Sequence, residues 1–139
     1  MNLYIYHHLG LGDHFDCNGL VRHYAKQSNY EKVGVFAKSN YFKMVDYMYR
    51  DNESIEVISI DGENERGSIK EFLDQTRDED LFLEVGHHAY HSLPQETKDS
   101  QNCWELFYKL VNLPLQLRYS GFYIERDVDA ENALFEKLT

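Results

Sequence analysis

Cysteine, proline and tryptophan are all scarce in this chain of 139 residues, which contains two, two and one of them. Cys17 and Cys103 stand far apart with no C-x-x-C pair, so both are expected as reduced thiols in a cytoplasmic protein rather than as a disulfide framework. No run of about 18 apolar residues occurs, which excludes a membrane-spanning helix. The opening Met1-Asn2-Leu3-Tyr4-Ile5-Tyr6 lacks a basic leader and a long apolar segment, so no signal peptide is expected. Positive charge is scarce as well: 14 Lys and Arg face 24 Asp and Glu, giving a net charge of −10 and a pI near 5.0. A surface this acidic repels phosphate backbones, and no basic stripe offsets it, so nucleic-acid binding is not expected. The balance suits solubility.

What is present points to an ordinary folded domain. Apolar residues make up 42% of the chain and charged ones 27%, and no segment has the low hydrophobicity of a disordered tract. A single domain over residues 1–139 can bury roughly two-thirds of its unfolded surface. There is no linker, repeat or low-complexity tract; the loop from Asp61 to Gly67 is the one polar stretch that stands out.

Short apolar runs alternate with helical patterns. Leu3 to His8, Lys32 to Ala37, Ser54 to Ile60 and Leu81 to Val85 read as strands. Between them, helices are expected at Asn18 to Gln27, Asn40 to Tyr49 and Ser68 to Thr76. The first is expected to begin at a side-chain cap near Asp16 or Asn18, with Leu20, Val21 and Tyr24 inward and Arg22, His23 and Lys26 outward. Gln101 to Val111, with Trp104, Phe107, Tyr108 and Val111 on one side, is a further helix. Tyr119 to Ile124 reads as a last short strand or an irregular segment, and Asp129 to Leu138 as a terminal helix. Strands alternating with helices imply right-handed crossovers. The expected fold is α/β: an open, Rossmann-like, mostly parallel sheet of four to five strands flanked by helices.

In such sheets ligands bind outside the carboxyl ends of the strands, beside the switch in strand order. The loop after the first strand reads His7-His8-Leu9-Gly10-Leu11-Gly12-Asp13-His14-Phe15. Two glycines permit a tight turn and leave room for a ligand, and the following helix directs unpaired N–H groups at that space. It is no dinucleotide fingerprint, because Phe15 stands where a third glycine is required. It is no phosphate loop either, since the Gly-Lys-Ser/Thr ending is missing. No cofactor is therefore expected. Asp13 and His14 remain at the mouth of the loop as candidates for proton transfer from a hydroxyl nucleophile. Equally, Asp13 can serve only as a helix cap and His14 only as packing.

The segment His8-Leu9-Gly10-Leu11-Gly12-Asp13-His14, continuing into Asn18-Gly19-Leu20-Val21-Arg22, resembles the amino-terminal half of glycosyltransferases built from two Rossmann-like domains, the GT-B type. The nearest group is the heptosyltransferase-like family, in which a strand ends in Gly-x-Gly-Asp and enters a helix. The resemblance implies that Asp13 matches the proposed general base, with His14 beside it. Gly10, Leu11 and Gly12 are then expected to shape the acceptor pocket, and His87 and His88, just after the fourth strand at its carboxyl end, to line the same cleft. Phe122-Tyr123-Ile124-Glu125-Arg126-Asp127 looks like the region where related proteins approach the domain junction. The implied reaction is transfer of a sugar from a nucleotide-sugar donor to the hydroxyl of a carbohydrate acceptor. In these transferases the donor site lies mainly on a second, carboxy-terminal domain. The resemblance therefore implies only the acceptor-side half, completed by a partner domain or a second copy. The alternative is a non-catalytic Rossmann-like binding or assembly module that pairs with another subunit.

Other groups carry weaker signals. His87 and His91, after the fourth strand, have the spacing of metal ligands on one helical turn, and His8, Asp13 or His14 could add a third. Without an H-E-x-x-H frame the plainer reading is a polar loop, and no metal is expected. Single aromatics among the 11 tyrosines and 8 phenylalanines read as core before they read as sugar-stacking platforms. Cys17 reads as a buried thiol. The acidic run Glu71, Asp74, Asp78, Glu79 and Asp80 reads as a solvated face.

Overall fold

A computed structural model describes residues 1–86 and 103–139. Four parallel strands form one sheet in the order β3-β2-β1-β4. They are β1 (Leu3–Tyr6), β2 (Val33–Lys38), β3 (Ile55–Ile60) and β4 (Leu81–Glu84). Helices α1 (Leu11–Ala25) and α2 (Phe42–Met48) make the first two crossovers, and α3 (Glu65–Leu73) makes the third after a short 3₁₀ turn at Gly62–Asn64. Among the described residues three further helices follow: α4 (Cys103–Leu110), α5 (Leu117–Ser120) and α6 (Val128–Leu138). The chain is thus α/β with an all-parallel, open, Rossmann-like sheet. No helix among the described residues is long and apolar enough to cross a membrane.

Side-chain alternation along the strands builds the two layers. Leu3 and Ile5 of β1 and Val33, Val35 and Ala37 of β2 point to one face, against Cys17, Leu20 and Val21 of α1, Val45 and Met48 of α2, and Phe107 and Tyr108 of α4. Tyr4, Tyr6, Phe36, Ile58 and Ile60 point to the other, against Ile69, Phe72 and Leu73 of α3. Every residue of β1 is buried, which is why its sequence reads as an unbroken apolar run.

The elements differ from the sequence expectation in two places. First, α1 begins at Leu11, not near Asp16 or Asn18. Gly10 is its N-cap, and the Asp13 carboxylate reaches back to accept the Gly10 N–H at 3.0 Å. Acceptance of that N–H by a carboxylate in the first turn is half of a capping box, and glycine has no side chain to supply the other half. Second, Arg22 is buried rather than outward. Its guanidinium makes two 2.8 Å hydrogen bonds to Asp51, donates to the Met48 carbonyl, and lies against the rings of Tyr49 and Tyr123. Of the two alternatives for the segment from Tyr119 to Ile124, a short strand or an irregular stretch, the second holds. Tyr119 and Ser120 close the turn of α5, and the rest is irregular chain.

That irregular chain is fixed by α1. Asn18, fully buried, pairs both ways with the backbone of Tyr123: its amide donates to the carbonyl at 3.1 Å, and its Oδ1 accepts the N–H at 2.9 Å. One residue on, a Cβ at Gly19 would lie 2.0 Å from the Leu117 carbonyl oxygen, so only glycine lets α5 approach this closely. Buried residues consequently surround the middle of α1: the sheet lies on one side, and α4, α5 and the chain around Tyr123 on the other.

Candidate functional site

The chain runs outward from β1 to β2 and β3, then returns to the opposite side of β1 as β4. The switch in strand order therefore lies between β1 and β4, where open α/β sheets hold their ligands. His7, His8, Leu9 and Gly10 leave β1 at this point, and Val85 and Gly86 leave β4.

The turn after β1 is stiff. Leu9 is fully buried with φ +66°, a left-handed conformation that a branched side chain adopts at a cost of roughly 1–2 kcal/mol. Its N–H donates to His7 Nδ1 at 2.9 Å, which helps to hold the conformation. Gly10 itself has an ordinary φ of −69°, so it is not the residue that makes the turn. It is constrained instead by the carboxylate it binds: a Cβ there would lie 2.6 Å from Asp13 Oδ2. Gly12, expected in a loop, lies exposed in the first turn of α1, and a Cβ on it would meet nothing within 4 Å among the described residues. Leu11 is half-buried and packs against the core.

Asp13 is therefore anchored rather than swinging in a loop. Oδ2 is held by the Gly10 N–H, Oδ1 lies 3.9 Å from His8 Nδ1, and about a quarter of the side chain is exposed. A carboxylate in the first turn also meets the positive end of the helix dipole, a favourable placement worth about 0.3–1 kcal/mol. The His8 ring is wedged between Phe107, at 4.8 Å between ring centroids, and Gly86. Gly86 has φ +94°, and a Cβ on it would stand 2.3 Å from His8 Nε2, so both conformation and close approach demand glycine.

His14 does not sit at the mouth of the loop. It is completely buried one turn into α1, with Nδ1 3.2 Å from Nε2 of the equally buried His7. The tautomers follow from the network. His7 accepts at Nδ1, so it carries its proton on Nε2 and donates to His14 Nδ1. The His14 proton is then on Nε2, which has no hydrogen-bond partner among the described residues. Burial pushes the His14 pKa down to about 4, so the ring is neutral at physiological pH. His87, His88 and His91, the other expected contributors, lie outside the described residues. Among the described residues no group of three His, Cys, Asp or Glu side chains is placed to hold a metal ion. Cys17 is fully buried, and that burial, with Asp13 and Asp16 nearby, raises its thiol pKa well above the usual range.

Sequence reasoning missed a concave surface on the outer side of α1. Phe15, Asp16, Arg118, Tyr119 and Phe122 line a cleft of about 380 Å³. The signal was faint: Phe15 and Asp16 follow directly on Asp13, but the other three residues arrive from the far end of the chain. Compared with protein-family models, curated proteins and solved structures, the chain matches none.

Proposed function

We propose that this chain is the acceptor-side half of a glycosyltransferase-like protein, binding a carbohydrate hydroxyl beside Asp13 at the carboxyl ends of β1 and β4. One observation carries the reading: a carboxylate fixed in the first turn of the helix after β1, at the switch in strand order, next to the exposed Gly12. A general base must be held within hydrogen-bond reach of the proton it takes, and the Gly10 N–H supplies that fixity from the backbone. As the acceptor oxygen bonds to the anomeric carbon, the bond to the nucleotide diphosphate breaks on the opposite face. The hydroxyl proton passes to Asp13, and the electron pair leaves with the diphosphate, inverting the sugar carbon. The nucleotide-sugar donor belongs to a second domain or subunit, as in the two-domain transferases that the Gly-x-Gly-Asp segment resembles. His14 contributes by position: buried against His7, it supports the turn that carries Gly10 and Asp13.

A non-catalytic binding or assembly module is the second reading, favoured by α6. No residue of that helix is buried, and Leu134, Phe135 and Leu138 are 57%, 67% and 77% exposed along one side.

Calorimetric titration with nucleotide-sugars, nucleotide diphosphates and oligosaccharides, repeated on Asp13→Asn, separates the two. The amide keeps an acceptor for the Gly10 N–H and removes the base. Saturable binding of an oligosaccharide, altered in Asp13→Asn, is the result expected of an acceptor-side transferase half. Absence of binding to every sugar and nucleotide, with a stable oligomer in sedimentation, would leave the assembly module.

A further inference from the structure

The cleft on the outer face of α1 has the chemistry of a sugar-binding subsite. Its walls are aromatic and exposed: Phe15 is 42%, Phe122 40% and Tyr119 69% accessible. Phe15 and Phe122 stand with ring centroids 6.3 Å apart and planes only 22° from parallel, presenting flat apolar faces. Three such rings on a monomer surface need a reason, because isolated exposed aromatics are common but a concave group of them is not.

The polar side of the cleft is an ion pair with spare capacity. Arg118 Nε and Nη2 reach Asp16 Oδ1 at 3.0 and 2.7 Å, Nη1 donates to the Tyr119 hydroxyl, and the guanidinium lies 4.1 Å over Trp104. These contacts fix the orientation of the guanidinium plane. They leave Asp16 Oδ2 outside any hydrogen bond among the described residues, beside guanidinium N–H groups that are only partly used. An acceptor and a donor side by side match neighbouring hydroxyls, each of which both donates and accepts. The two charges cancel, so the cleft offers nothing net positive to a phosphate. Apolar ring faces for C–H surfaces, a planar charged pair for hydroxyls and a volume within the usual range for small-ligand sites fit one class.

We propose that Phe15, Phe122 and Tyr119, with the Asp16–Arg118 pair, form a binding site for a neutral carbohydrate ring. Asp13 and Asp16 are one helical turn apart, about 4.5 Å along the axis. The site thus lies down the same helix from Gly12, and a chain of sugars bound here delivers its terminal hydroxyl towards Asp13. That second role, as the acceptor subsite, rests on the transferase reading above; the binding of sugar does not.

The single tryptophan, Trp104, contacts Arg118 and Tyr119 and so reports on the cleft by fluorescence. Maltotriose, cellotriose and chitotriose serve as probes, with glucose 6-phosphate as the anionic control. Expected is a saturable change in Trp104 emission with at least one trisaccharide. Affinity falls about tenfold, equivalent to about 1.4 kcal/mol, in both Phe15→Ala and Phe122→Ala. Both positions are exposed, so folding is checked simply by circular dichroism. The readout is binding at the aromatic cleft and involves no transfer, so its outcome is independent of whether Asp13 acts as a base. No response to any trisaccharide, a response unaffected by both alanine variants, or preference for the phosphorylated sugar overturns the proposal.

Discussion

Gly10 and Gly12 look interchangeable on paper, two glycines flanking a leucine, yet they meet different surroundings. At Gly10 an added methyl would strike the carboxylate that the residue's own N–H binds, whereas at Gly12 it would meet none of the described residues within 4 Å. Glycine within a helix costs roughly 0.5–1 kcal/mol relative to alanine. Gly12→Ala is therefore expected to stabilise the fold by about that amount in urea unfolding, provided nothing else occupies the space. If the glycine is kept for ligand approach, the same variant binds the acceptor more weakly. A variant that is more stable and binds as before would count against a ligand at this end of α1. Asp13 illustrates why the two readings of that residue could not be separated by inspection of the motif. It both caps the helix and offers a carboxylate at the switch point, because the cap uses one oxygen and leaves the other directed at His8.

Helix α1 is the element on which the remaining structure depends, and its sequence hides this. A helix buried over most of its surface carries no clear apolar stripe, so Asn18 looked like a cap and Arg22 like an outward charge. Each is instead a contact with a distant segment. Arg22 pairs with a carboxylate 29 residues away, and Asn18 with a backbone 105 residues away. The same substitution in this one helix is expected to have opposite signs at two positions. Gly19→Ala places a methyl against the Leu117 carbonyl, forcing α1 and α5 apart, and should cost about 1–3 kcal/mol, read as a lowered urea midpoint. A neutral Gly19→Ala would mean that α5 does not pack as closely as described.

For the whole molecule, acid is the revealing variable. His14 titrates near its ordinary value of 6.5 in the unfolded chain but at about 4 in the fold, because charging a buried ring is penalised. Between those values the unfolded state binds the extra proton, so stability is full above pH 6.5 and falls as the pH drops towards 4. The loss is about 3 kcal/mol over that window, a substantial part of a typical domain's stability. Carboxylates held low by ion pairs, such as Asp51 beside Arg22, add their own loss at lower pH, as they protonate. Urea midpoints measured at pH 7 and pH 4.5 check this. His14→Asn, whose Oδ1 takes the place of the accepting Nδ1 and which cannot titrate, should flatten the profile across the window even if it lowers stability at neutral pH. An unchanged slope in that variant would assign the acid sensitivity to another group.

The sequence by itself determined the architecture: four short apolar runs alternating with helical patterns, a parallel sheet, and a Gly-x-Gly-Asp segment after the first strand. These are local signals, because the period of side chains along a strand or helix is written in consecutive residues. Only the tertiary structure decided that the segment is the first turn of α1 rather than a loop, and that Leu9 instead of a glycine makes the strained turn. It alone buried His14 against His7 and brought Phe122 and Arg118 to Phe15 and Asp16. Such contacts join segments far apart in the chain, and their energy depends on shape and burial after folding, which no local pattern encodes.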